Sequence, residues 1–249
     1  MSSIEQTCAR LRELRLTTMA TAYEQQLAQP KLHQIGFDDR FALLVEAEAS
    51  GRESRKLKRL VGQAGFPENA SLEDVDHRPS RGLDKALLAA LAPCEWVRRN
   101  QNLILVGATG VGKTWLACAF GRQACRLAMT VSFHRVGDLC DAIHTAALDG
   151  SLPELKGRLI KPSLLILDDL GIGKVSAEAA EALLQVIDRR MRNGSLMVTS
   201  QFPVENWHGL FPDPTIADAI LDRVVHQAHR IQLKGDSMRK TRARLDLGS

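Results

Sequence analysis

The chain has 249 residues, 45% hydrophobic and 25% charged, with a formal net charge of +4. That length suffices for one substantial core and a smaller satellite domain, and the composition is that of an ordinary globular protein. No apolar run reaches the roughly 18 residues of a membrane span, and Met1-Ser2-Ser3-Ile4-Glu5 lacks a basic segment leading into an apolar one, so no membrane or secretory role is expected and a cytoplasmic location is.

The cysteines, Cys8, Cys94, Cys118, Cys125 and Cys140, are odd in number and form no CxxC pair. That argues against a disulfide framework or a zinc ribbon and predicts reduced thiols. The positive excess permits nucleic-acid binding without establishing it.

Residues 3–63 read as helical. Leu11, Leu14, Met19 and Tyr23 fall on helical spacing, and Phe41, Leu44 and Val45 continue it in a second helix, with Asp38 or Asp39 as its N-cap. Pro30 and Gly36 separate the two. In Arg52-Glu53-Ser54-Arg55-Lys56-Leu57-Lys58-Arg59, five of eight residues are basic. On a helix Arg52, Arg55, Lys56 and Arg59 share one face. Such a run is either a solvated face or a stripe that contacts phosphates. Gly65, Pro67, Asn69, Pro79 and Gly82 mark a linker, with a short strand expected over 72–75. Residues 84–98 read as helix again.

From Asn102 the pattern alternates. Strands are expected over 103–106, 130–134, 164–167, 195–199 and 230–233, and helices over 113–127, 136–148, 177–192 and 215–226. Apolar strand runs between amphipathic helices predict an α/β fold, a mainly parallel sheet covered on both faces.

The motif of highest information is Gly107-Ala108-Thr109-Gly110-Val111-Gly112-Lys113-Thr114, a full match to GxxxxGK[ST] between a strand and a helix. The glycines let backbone N–H groups approach phosphate oxygens, and the helix N-terminus adds unpaired donors. Lys113 supplies a mobile charge for β- and γ-phosphates. The Thr114 hydroxyl suits a Mg²⁺ ligand. Leu164-Leu165-Ile166-Leu167 then runs into Asp168-Asp169, acids at the carboxyl edge of a buried strand, where ligands of such sheets bind. Asp168 suits the metal and Asp169 suits polarisation of an attacking water. No [NT]KxD guanine-reading element follows, so ATP is expected over GTP.

The next strand ends in Val198-Thr199-Ser200-Gln201, where Gln201, or Ser200 as the alternate, is placed to touch both γ-phosphate and water. Arg223, on a helix, and Arg239, after the last strand, each read either as surface charges or as groups that stabilise a transferring phosphate.

The chain resembles the IstB-like family, ATP-binding helpers of bacterial insertion sequences, within the AAA+ class and close to DnaC-type helicase loaders. The residues that carry the likeness are the GATGVGKT loop, Leu167-Asp168-Asp169-Leu170-Gly171, Thr199-Ser200-Gln201 followed by Trp207, Asp222-Arg223 with His226, and Gly235-Asp236-Ser237-Met238-Arg239. The Phe41 region and the basic run join them, so the resemblance spans about Leu11 to Arg239. It implies an AAA+ core with the phosphate-loop strand lying centrally, and a helical DNA-binding and assembly domain over residues 1–65 ahead of an ATPase domain over 66–249. Arg223 looks like a finger acting across a subunit boundary and Arg239 like a second-sensor arginine. Only a short tail follows Leu233, so no C-terminal lid is expected. Asp169 stands where many AAA+ proteins carry glutamate, which predicts slow hydrolysis or hydrolysis that needs DNA or a partner.

Together these features predict an ATP- and Mg²⁺-dependent ATPase that assembles as a homo-oligomer on double-stranded DNA and stimulates the transposase of the same element. The expected DNA contacts are Arg52, Arg55, Lys56, Lys58 and Arg59. A helicase loader gripping single strands is the first alternative. A small-molecule kinase is disfavoured, because residues 149–161 are too short and too sparsely charged for a closing lid. A non-hydrolysing ATP-gated scaffold stays open through Asp169.

Overall fold

The computed structural model describes residues 3–29, 32, 34–78 and 81–238. Pro30, Pro79 and everything after Met238, Arg239 and the expected lidless tail included, lie outside the described residues. The chain forms two compact units, Met1–Arg59 and Leu60–Ser249.

The first unit is helical. Helix α1 spans Ser3–Glu13, α2 spans Thr17–Ala28, and α3 starts at Phe37 and runs to Ala64, across the division between the units. The expected first helix is two, broken where Arg15 takes φ 59°. Because α3 begins at Phe37, Asp38 and Asp39 lie in its first turn instead of capping it. Acids there complement the helix dipole. Cys8, Ala20 and Leu44 are buried in this unit, and so is the Glu48 carboxylate. Glu48 accepts hydrogen bonds from the Thr18 and Met19 N–H groups at 2.9 and 3.0 Å, doing for the start of α2 what a local cap residue would do.

The second unit opens with a 3-10 turn at Leu72–Asp74, where a strand was expected. Only four residues with two acids leave too little apolar side chain for a strand to bury. Helices α4 (Lys85–Leu91, capped by Asp84) and α5 (Glu95–Arg98) follow. They divide the expected 84–98 helix at Cys94, which adopts a left-handed conformation.

Five parallel strands then alternate with helices: β1 (Asn102–Gly107), α6 (Lys113–Arg126), β2 (Val131–Arg135), α7 (Val136–Asp149), α8 (Leu152–Ile160), β3 (Leu164–Leu170), α9 (Ala177–Arg190), β4 (Ser195–Ser200), α10 (Pro214–Val225) and β5 (Ala228–Leu233). The strand order is β2-β3-β4-β1-β5, every pairing parallel. The phosphate-loop strand is interior, flanked by β4 and β5, and the middle strand is β4.

Alternate strand residues supply the two faces. Ile104, Leu165, Leu167 and Val198 pack with α7, α9 and α10, around the buried Trp207. Ile166 faces α6, so close that a Cβ at Gly121 would lie 2.9 Å from its Cδ1. Helix α8 was not expected. It is short and holds Gly157, and it persists because Leu155 and Leu159 are buried. Cys118 and Cys125 are core residues as expected, and all five cysteines are free. Among the described residues no helix is long and apolar enough to cross a membrane.

Candidate nucleotide-binding site

The carboxyl ends of β1, β3 and β4 meet in one pocket. Its walls include Thr109, Lys113, Thr114, Asp169, Gln201 and Arg81. The order of the strands explains this convergence. With β4 between β1 and β3, residues leaving β4 stand directly between the glycine loop and the acids.

The loop from Gly107 to Lys113 is fixed by its backbone. A Cβ at Gly107 would lie 2.5 Å from the Leu233 carbonyl, and Gly112 holds φ 96° at the N-cap of α6. Only glycine meets both demands without strain. Lys113 is buried at 6% exposure, and its Nζ donates to the Gly107 and Ala108 carbonyls at 2.9 and 3.0 Å. Burial lowers its pKa, and the nearby Asp169 and Asp168 partly offset that. These neutral carbonyls leave the charge short of an anionic partner, which is the condition for drawing one in.

Thr114 follows Lys113 and donates to Asp168 at 2.9 Å. Asp168 is fully buried and also accepts from the Thr199 hydroxyl at 2.6 Å. Burial raises the Asp168 pKa, the Thr199 and Thr114 hydroxyls pull it down, and Asp169 adds to the rise. A buried hydroxyl–carboxylate pair is a hard-oxygen donor set of the kind Mg²⁺ takes alongside phosphate oxygens. Among the described residues no group of three or more acidic, histidine or cysteine side chains gathers to hold an ion unaided. Thr114 and Asp168 therefore fit a metal that arrives with a polyphosphate.

Asp169 sits in an irregularity of β3. The pairing with β4 shifts between Leu167 and Leu170, and Asp169 takes φ 61°. In a regular strand adjacent side chains point to opposite faces. The bulge lets Asp168 reach Thr114 and Thr199 while Asp169 lines the same pocket. A left-handed non-glycine residue costs about 1 kcal/mol or more, and such positions concentrate at functional sites. The Asp169 N–H donates to the Thr199 Oγ1 at 2.9 Å.

Thr199 is thus the hinge of the acid pair, and sequence reasoning passed over it for its neighbours. The signal was its place as the first polar residue after an apolar strand. Gln201 lines the pocket, and its Oε1 accepts from Thr109 at 2.8 Å. The alternate, Ser200, does not face the pocket. It is buried, donating to the Leu170 carbonyl at 2.6 Å and accepting from the Phe202 N–H at 3.1 Å to close the strand end. Arg81, nearly buried, was also missed, since nothing local distinguishes it from other linker arginines.

Arg223 lies elsewhere. The Asn102 side chain, at the start of β1, donates to the Arg223 carbonyl at 3.1 Å. Its guanidinium meets Asp188 at 2.9 Å and the Ala219 carbonyl at 2.8 Å. In the first unit the five basic residues of the 52–59 run in α3 are not buried. Arg52 and Arg55 pair with Glu48 at 2.9 and 3.0 Å, whereas Lys56, Lys58 and Arg59 form no ion pair among the described residues.

The family model for IstB-like ATP binding proteins matches residues 9–245. The chain belongs to that family. An insertion sequence ATP-binding protein of Sinorhizobium fredii is 40% identical over 238 residues, covering 96% of this chain and 97% of the relative. Among solved structures, DnaI superposes with a TM-score of 0.57 at 23% identity, over 71% of this chain and 94% of that one. The DnaC helicase loader superposes with a TM-score of 0.53 at 19% identity, over 67% and 97%. These likenesses identify the IstB-like core as an AAA+ fold.

Proposed function

We propose that this IstB-like chain is an ATPase that assembles on double-stranded DNA in its ATP state and stimulates the transposase of the same insertion sequence. The observation that carries the reading is the continuous network from Thr114 through Asp168 and Thr199 to Asp169, set against a complete phosphate loop. Its insertion-sequence relative supplies the biological setting.

In this reading Lys113 and the loop N–H groups hold the β- and γ-phosphates, and Thr114 and Asp168 hold Mg²⁺. The ion supplies charge neutralisation on the phosphate oxygens when bound. Asp169 accepts a proton from the attacking water, and Gln201 orients that water. Thr199 keeps Asp168 and Asp169 in a fixed relation. Arg223 acts on the site of a neighbouring subunit, and Arg239 contributes from the same chain as the nucleotide. Residues 1–65 bind DNA and join in assembly, and residues 66–249 carry the ATPase. Arg52, Arg55, Lys56, Lys58 and Arg59 track the DNA phosphates. Loss of the γ-phosphate on cleavage removes the partner of the interface arginine and resets the assembly.

The helicase-loader reading has one observation in its favour, the likeness to the DnaC loader, which at 19% identity speaks for the fold alone. Light-scattering mass on duplex and single-stranded DNA with ATP, ADP or no nucleotide separates the two, with Lys113→Ala as control. A large assembly on duplex DNA with ATP only is expected. Assembly confined to single strands or to a replicative helicase overturns the transposition reading in favour of the loader.

A further inference from the structure

The Arg81 side chain is out of balance with its surroundings. The residue is 8% exposed and lines the nucleotide pocket. Its Nη2 donates to the Val111 carbonyl inside the phosphate loop at 2.8 Å. Among the described residues its Nη1 has one hydrogen-bond acceptor, the weak Met238 thioether, and a long ion pair to Asp76. Its Nε is buried without a hydrogen-bond partner among the described residues. The nearest carboxylate, Asp76, stands 4.0 Å away and is already bound by Arg78 at 2.6 Å. A buried guanidinium held by one neutral carbonyl, a sulfur and a distant, shared carboxylate is undercompensated, and burial of a charge is costly unless an anion answers it closely.

Its position says which anion. A Cβ at Gly112 would lie 3.2 Å from the Arg81 Nη2, so the guanidinium adjoins the loop immediately before Lys113. Asp169 and Gln201 line the same pocket, and so do Val75, Leu83 and Leu233, apolar side chains suited to a base, with the acids Asp74 and Asp76 on either side of Val75.

We propose that Arg81 is a second phosphate-binding cation of this site, beside Lys113, and that it serves the part of the nucleotide that ATP and ADP share. The proposal rests on the nucleotide-site reading above. Arg81 adjoins the loop at Val111, and its carbonyl accepts from the Lys234 N–H just after β5, with β4 and β1 between that strand and the acid-bearing β3. It therefore answers the phosphate nearest the ribose and leaves the γ-phosphate to Lys113, Asp169 and Gln201. Binding turns the guanidinium from the Met238 sulfur to a phosphate oxygen, exchanging a weak acceptor for a charge-assisted one.

The test is a calorimetric titration of the full chain with ADP and with ATP, on wild type, Arg81→Met, Arg81→Lys and Lys113→Ala, with nucleotide-free thermal midpoints measured alongside. Arg81→Met is expected to weaken ADP and ATP by the same factor, about tenfold or more. Its nucleotide-free midpoint stays level or rises, because a buried and only partly compensated charge has gone. Arg81→Lys keeps the cation and recovers most of the affinity. If Arg81→Met binds ADP like wild type, or loses ATP while keeping ADP, the proposal is overturned. If Arg81→Met does not fold, Arg81→Lys decides. It spans fewer partners than arginine, so affinity within about threefold of wild type supports the charge role and a larger loss overturns it. Failure of the wild type to bind either nucleotide would sink the site reading itself, a different result from any of these.

Discussion

At the scale of single residues, the acid pair is governed by a hydroxyl. Thr199 donates to Asp168 and accepts from the Asp169 N–H, so Thr199→Val removes both restraints without altering side-chain shape. Turnover is expected to fall about 10- to 100-fold, the range for a residue that orients a ligand or base, with ADP affinity changed far less. Single-turnover hydrolysis beside an ADP titration checks this, and an unchanged rate would remove Thr199 from the machinery. Glu48 gives a residue-scale prediction on pH. The Arg52 guanidinium, helped by the Met19 and Thr18 N–H groups and opposed by burial, lowers its pKa from 4.5 to about 2. A depressed carboxylate adds stability that is complete above the unfolded pKa and is lost as pH falls through the folded one. Wild type therefore loses a component of helical signal between pH 4.5 and about 2 that Glu48→Gln lacks. Overlapping acid titrations of the two proteins would refute it. The loop, Asp168, Asp169 and Gln201 were legible because their spacing encodes their chemistry. Thr199 and Arg81 were not, because their roles depend on which strand lies between which others and on what packs over the loop.

At the scale of elements, α3 separates two kinds of basic residue that share one sequence run. Arg52 and Arg55 answer the buried Glu48, while Lys56, Lys58 and Arg59 form no ion pair among the described residues. Neutralising the latter three to glutamine is expected to weaken duplex binding and to reduce the slope of log K against log salt by roughly 0.9 for each phosphate no longer neutralised, about 2.7 for three. Arg52→Gln with Arg55→Gln, whatever it does to DNA binding, also lowers the thermal midpoint, since it strands a buried carboxylate. Equal salt slopes for wild type and the triple variant would assign the run to a solvated face. The same contrast marks what sequence conveys about elements. The strands were legible from apolar runs such as Leu164 to Leu167. The break at Arg15 and the helix α8 were not, because both follow from packing partners far along the chain. Arg190 is a third case: a fully buried arginine whose guanidinium holds the Leu159, Ile160 and Ser195 carbonyls, indistinguishable in sequence from Arg189 beside it.

At the scale of the whole molecule, Arg223 cannot complete the site of its own chain. Its carbonyl is bound by Asn102 at the first residue of β1, and the phosphate loop leaves the last residue, Gly107. Five strand steps of about 3.3 Å separate them, roughly 16 Å, more than an arginine side chain spans. If Arg223 acts in catalysis it acts on another subunit, through a head-to-tail contact in which one surface carries the nucleotide and the other the arginine. The Asp188 pair is a weak restraint, since partly exposed pairs contribute little and exchange readily for a stronger anion. Mixing variants tests this. Arg223→Ala keeps an intact pocket and lacks the arginine, whereas Lys113→Ala lacks the pocket and keeps the arginine. Each alone should be inactive on duplex DNA. An equimolar mixture should regain turnover, because at random roughly a quarter of head-to-tail interfaces join an intact pocket to an intact arginine. A mixture as inactive as its parts would return Arg223 to the role its geometry already shows, an ion pair that ties α10 to α9.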